Sequence, residues 1–111
     1  MAGGTAFLAG GRVGVECEIT KGLFAFERGV TIKLPGGRVA QTLVDKSTVV
    51  SRISPVAETA VKGIVIAHMI RGGKRSALVE LPDETFVGGS RIWVPVGMLR
   101  KVVDAQQSPK K

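Results

Sequence analysis

Two stretches of this chain read alike. Val30-Thr-Ile-Lys-Leu-Pro35 resembles Ala77-Leu-Val-Glu-Leu-Pro82, and the prolines stand 47 residues apart. At the same offset Val15, Cys17 and Ile19 fall on Lys62, Ile64 and Ile66. The match continues more loosely: Gly36-Gly-Arg-Val39 precedes Leu43 and Val44, and Gly88-Gly-Ser-Arg91 precedes Ile92, Trp93 and Val94, two or three residues later in register. A repeat of this length predicts two copies of one supersecondary unit, packed on each other or side by side. The chain has 111 residues, so each unit is too small to bury an adequate core alone. The halves are therefore expected to share an interface, or the chain to oligomerise.

Alternation sets the type of unit. Val13, Val15, Cys17 and Ile19 share one face of an extended segment, with Gly14, Glu16, Glu18 and Thr20 on the other. Val30, Ile32 and Leu34 alternate with Thr31 and Lys33, and Pro35-Gly36-Gly37 then supplies turn chemistry. Strands over 38–44 and 48–53 complete the first half, rich in Val, Thr and Ile. In the second half Ile64, Ile66, His68 and Ile70 share a face. Arg71–Arg75 makes a turn, and strands follow over 77–81 and 91–96. Val96–Leu99 reads as a single 3₁₀ turn before a last strand over 100–103. A convincing helical period is nowhere sustained, so the expected fold is all-β with little or no α-helix. The predicted layout is a flexible arm over 1–10, a first repeat over 11–54 and a connector over 55–60. A second repeat follows over 61–104, then a disordered basic tail over 105–111.

Strand, long loop, strand, turn, strand, 3₁₀ turn, strand describes most of each half. With the ending Gly89-Ser-Arg-Ile-Trp-Val-Pro-Val-Gly-Met-Leu-Arg-Lys-Val102, the chain resembles a tandem pair of small SH3-like barrels over roughly residues 11–103. Val44–Val50 fits the slot of the same 3₁₀ turn in the first half. The resemblance implies ribosomal, RNA-associated, chromatin-reading or peptide-binding roles. The C-terminal Gly89, Ser90, Pro95, Val96 and Leu99 also resemble the plasmid-type (type II) dihydrofolate reductases, which would imply nicotinamide- and folate-dependent chemistry. That family carries Val-Gln-Ile-Tyr where this chain has Arg91-Ile92-Trp93-Val94.

Composition narrows the function. Apolar residues make up 44% of the chain, enough for a folded core. The net charge of +7 suits nucleic acid, an anionic surface or an acidic protein. Cys17 is the one cysteine, which excludes an internal disulfide and a cysteine-based metal site, and fits a reducing, cytoplasmic setting. The start has no basic stretch of a secretory signal, and no apolar run approaches about 18 residues, so no membrane partner is expected. With one histidine, His68, and scattered carboxylates, neither a metal site nor a cofactor is expected. Glu16 and Glu18 on one strand, or Asp83 and Glu84 in a turn, read more simply as solvated surface than as acid–base pairs. Gly72-Gly-Lys-Arg75 lacks the spacing of a phosphate-cradling loop. The chain is expected to be no enzyme.

Two kinds of candidate residue remain. The loop after the first strand of each half reads Lys21-Gly-Leu-Phe-Ala-Phe-Glu-Arg28 in one copy and His68-Met-Ile-Arg-Gly-Gly-Lys-Arg75 in the other. Phe24 and Phe26 stand two apart and point the same way if extended. Arg71, Lys74 and Arg75 form a basic tip. If Ile92 is core, then Trp93 is exposed, with Arg91, Arg100 and Lys101 nearby in sequence. An aromatic plane among cations suits base stacking with phosphate pairing. The leading reading is a basic, non-enzymatic module contacting RNA or DNA, within a ribonucleoprotein for instance. The alternative is a self-associating protein-interaction module, because Trp and Arg also dominate protein interfaces.

Overall fold

The computed structural model describes residues 10–56, 59–86 and 88–102. Its strands are β1 (Arg12–Lys21), β2 (Glu27–Lys33), β3 (Val39–Asp45), β4 (Val49–Ser51), β5 (Val61–Arg71), β6 (Ser76–Glu80), β7 (Arg91–Pro95) and β8 (Leu99–Arg100). Single 3₁₀ turns lie at Pro35–Gly37, Lys46–Thr48 and Val96–Met98, and there is no α-helix among the described residues. The all-β class read from the alternation is the observed one. The predicted basic tail, and all of the predicted flexible arm but Gly10, lie outside the described residues.

All pairings are antiparallel. The main path runs β3-β2-β1-β5-β6-β7, in a curled sheet compatible with a small β-barrel. The two remaining strands cross between halves: β4 pairs with β5, and β8 pairs with β1. A strand has two edges, and β1 uses both. One carries β5 along Arg12–Ile19. The other carries β8 at Gly14 and Val15 and then β2 from Glu18 to Lys21. β5 does the same with β4 at Gly63–Val65 and β6 from His68 onward. Leu99, Val15, Val65 and Val49 thus form one row across four strands.

That row explains the core. Val13, Val15, Cys17 and Ile19 of β1 are buried, as alternation requires, with Val30 and Ile32 of β2 and Ala40 and Val44 of β3. Val65, Ala67 and Met69 of β5, Ala77 and Val79 of β6, Leu81, Val94 and Leu99 complete one contiguous cluster. Each fully buried large aliphatic contributes about 1.5–3 kcal/mol. The Pro35 turn forms as its residues dictate, with Gly36 and Gly37 at φ 80° and 78°.

β5 corrects the sequence alignment. At the 47-residue offset Val15 fell on Lys62, yet Lys62 is exposed and Val65 is the fully buried residue opposite Val15. The face of Ile64, Ile66, His68 and Ile70 points outward, the isoleucines half-covered and His68 exposed. Ile64–Ile70 carries apolar residues on both faces, so alternation alone could not select the buried one.

The halves also touch beyond the sheet. Thr42, the one buried polar residue among the described residues, donates its hydroxyl to the Glu84 carbonyl at 2.7 Å, and the Phe86 amide donates to the Gln41 carbonyl at 2.9 Å. The segment between β6 and β7 therefore covers part of the β3 edge, which would otherwise be open to pairing.

At Gly63, β4 and β1 approach so closely that an added Cβ would lie 2.4 Å from the Val50 carbonyl oxygen and 2.5 Å from Ile19 Cδ1. Gly63→Ala is expected to cost about 1–3 kcal/mol in urea unfolding. Gly72→Ala meets nothing within 4 Å and should stay within about 0.5 kcal/mol.

Candidate nucleic-acid interface

The outward face of β5, β6 and β7 carries the first group of candidates. The β5–β6 register shifts between Met69 and Arg71, a bulge that brings Arg71 opposite Leu78. Leu78 in turn stands opposite Trp93. Arg71, Leu78 and Trp93 therefore form one cross-strand row. Ile92 and Val94 turn inward, Val94 fully buried, and Trp93 is left 50% exposed. One row along, His68, Glu80 and Arg91 align, and Arg91 Nε donates to Glu80 Oε1 at 3.1 Å. This ion pair neutralises the Glu80 carboxylate, one row from Trp93 on the same face.

The basic tip sits at the same end. The Val96 amide donates to the Arg75 carbonyl at 2.8 Å, which fastens the β5–β6 turn beside the end of β7. Arg71, Lys74 and Arg75 are exposed. Arg75 lies opposite Val96, three residues from Trp93, or about 10 Å along a strand. Gly73 permits the tight turn, since a Cβ there would meet the Ser76 carbonyl oxygen at 2.6 Å.

Phe24 and Phe26 occupy the equivalent loop of the first half, between β1 and β2. Their rings stack at 5.6 Å with planes 5° apart, and both remain more than half exposed. The loop is held by its own hydrogen bonds. The Leu23 amide donates to Glu27 Oε1 at 2.8 Å, Arg28 Nη1 donates to the Ala25 carbonyl at 3.0 Å, and the Lys46 amide donates to the Phe26 carbonyl at 2.7 Å. Asp45 fixes the adjoining 3₁₀ turn by accepting from the Ser47 amide at 2.9 Å, and the Ser47 contacts hold its carboxyl below the usual range.

Arg100 stands elsewhere, and Lys101 follows it as an exposed residue just past β8. Arg100 belongs to β8, and its Nη2 is ion-paired with Glu16 of β1. It lines an open groove of about 980 Å³ that Trp93 does not border. Sequence proximity therefore gathers Arg91 with Trp93 but not Arg100. Leu78, which bridges Arg71 and Trp93, was not among the sequence candidates. Its signal lies in the cross-strand register, which depends on the bulge.

His68 is exposed. Among the described residues no three or more His, Cys, Asp or Glu side chains cluster to hold a metal ion, and no helix is long and apolar enough to cross a membrane. Compared with protein-family models, curated proteins and solved structures, the chain matches none.

Cys17 is buried, and desolvation, with the Glu18 charge adding to it, pushes its thiol up to about 12. A thiol-specific disulfide reagent at pH 8 should leave the native protein unlabelled and titrate one thiol in denaturant. The raised value also has a sign for stability. Its contribution is whole below the unfolded thiol's pKa near 9.0 and is lost as pH rises through about 12.

Proposed function

We propose that this protein is a non-enzymatic module that binds single-stranded nucleic acid on the outward face of β5, β6 and β7. The observation that carries this reading is the row Arg71, Leu78, Trp93, set beside the exposed cations Lys74 and Arg75. A half-exposed indole on a sheet surface offers a face to any base, and nearby cations pair with the backbone phosphates. An open sheet face suits unstacked bases better than a duplex, whose base faces are covered. The net charge of +7 favours association with a polyanion.

The architecture that carries this face is a duplicated, SH3-like unit whose halves exchange their last strands. Its support is the equivalence of the two crossings. Val49 stands on Val65 as Leu99 stands on Val15, which relates the halves by an offset of 50 with the Val15–Val65 pair on the axis. The loops have diverged around this frame. One half presents Leu23, Phe24 and Phe26, and the other presents Arg71, Lys74 and Arg75.

A protein-assembly reading draws on the first of these loops. Leu23 is 86% exposed on a loop fixed by hydrogen bonds, and preformed apolar surface of this kind marks interaction sites. Self-association through it should appear in sedimentation velocity as a concentration-dependent species that Phe24→Ser abolishes.

The main reading is tested by fluorescence anisotropy with labelled single-stranded RNA and with duplex RNA and DNA across a salt series. Single strands should bind preferentially. Trp93→Ala should weaken that binding by about 1–3 kcal/mol, the worth of one stacked base. Reversing Arg71, Lys74 and Arg75 to Glu should weaken binding further and flatten the salt dependence by about 2 in the log–log slope. Affinity that both variants retain would remove this face from the account.

A further inference from the structure

The groove of about 980 Å³ lies on the outward face where the halves meet, apart from the Trp93 row. Its floor is apolar, formed by Val50, Ile64 and Met98. Val50 and Ile64 stand opposite each other in the β4–β5 ladder. Four cations and two carboxylates line it. Both carboxylates are occupied: Glu16 by Arg100, and Glu18 by Lys33 at 3.1 Å.

The two other cations, Arg52 and Lys62, both line the groove. The last paired position of β4 and β5 is Ser51 opposite Gly63, and Arg52 and Lys62 are the next residues beyond it on the two segments. Ser51 and Gly63 also border the groove, and alternation sets Arg52 and Lys62 on the face of Val50 and Ile64. On its other edge Lys62 stands opposite Glu18, whose carboxylate is already shared with Lys33. Lys33 thus holds the one carboxylate that stands opposite Lys62. Like charges held close beside one another repel. An anion between them would relieve the repulsion and gain two charge-assisted contacts.

We propose that this groove is a binding site for a small organic dianion: a doubly charged head held between Arg52 and Lys62, and a flat apolar body lying over Val50, Ile64 and Met98. Its volume falls at the upper end of the range of small-ligand pockets. Its combination of a few charged groups with an apolar floor is that of a site recognising both parts of one molecule. The guanidinium supplies directional donors to the head, and the ammonium supplies a compact charge. The site stands independently of the nucleic-acid reading, because it shares no residue with the Arg71, Lys74, Arg75 and Trp93 face.

The test uses 1-naphthyl phosphate as probe and the whole chain, followed by ¹H–¹⁵N correlation spectra. The expected result is saturable shifts confined to the amides of Val50–Arg52 and Lys62–Ile64. Affinity should fall at least tenfold in the Arg52→Ala/Lys62→Ala variant and stay unchanged in Arg71→Ala/Lys74→Ala/Arg75→Ala. Inorganic phosphate, lacking the body, and 1-naphthol, lacking the charge, should each bind at least tenfold more weakly than the probe. Shifts centred on the hairpin tip, equal binding by the double variant, or equal binding of 1-naphthol would overturn the proposal. The double variant also has a readout without ligand. Relief of the like charges should leave its melting temperature equal to or above that of the parent, and a marked fall would overturn the like-charge argument.

Discussion

The pairing of β1 with β5 is the constraint on which the rest of the structure depends. It is the longest ladder in the sheet, running from Arg12 opposite His68 to Ile19 opposite Val61. It places Val15 against Val65, both fully buried. β8 can reach Val15 and β4 can reach Val65 only because this ladder leaves the far edge of each strand open. Neither short strand would be stable alone, since two or three ladder positions cannot offset the entropy of ordering them. They are held because Leu99 and Val49 pack against a core made of both halves. Neither half of this chain closes its sheet without the other.

This arrangement separates the core from the surfaces available for binding. Side chains alternate across every strand, so burying one face of β1 and β5 commits the other face to solvent. On that outer face the ion pairs Lys33–Glu18, Arg91–Glu80 and Arg100–Glu16 consume carboxylates. Exposed pairs of this kind add little stability. Beyond those pairs, Arg71, Lys74 and Arg75 gather at the β5–β6 turn beside an aromatic plane, and Arg52 and Lys62 border the groove at the junction of β4 with β5, over an apolar floor.

Much of the fold is legible in the residues. The alternation of Val13, Val15, Cys17 and Ile19 gives β1 and its buried face, and Pro35-Gly36-Gly37 gives its turn with both glycines at positive φ. The inward Val94 and outward Trp93 follow from one alternation step, as do the outward Glu16 and Glu18. What could not be read is whatever depends on partners distant in sequence. Which face of β5 is buried is undetermined where isoleucines occupy the outer face and valine, alanine and methionine the inner. A shift of three residues in aligning β1 with β5 exchanges those faces, because the side-chain period is two. The crossing of β4 and β8 leaves no local signature. The same limit hid the row of Arg71, Leu78 and Trp93, which a bulge sets in register, and the meeting at one groove of Arg52 and Lys62, which adjoin no common segment of sequence.

The most direct measurement is a cross-strand nuclear Overhauser experiment on the isotopically labelled chain in solution. The crossing of the halves requires backbone contacts between Val15 and Leu99 and between Val65 and Val49, together with those between Val15 and Val65. Those three sets of contacts, observed at low protein concentration, are the expected result. Contacts instead between Val15 and Val49 and between Val65 and Leu99 would mean that each half closes on itself. That result would contradict the shared core on which both proposed binding faces are built.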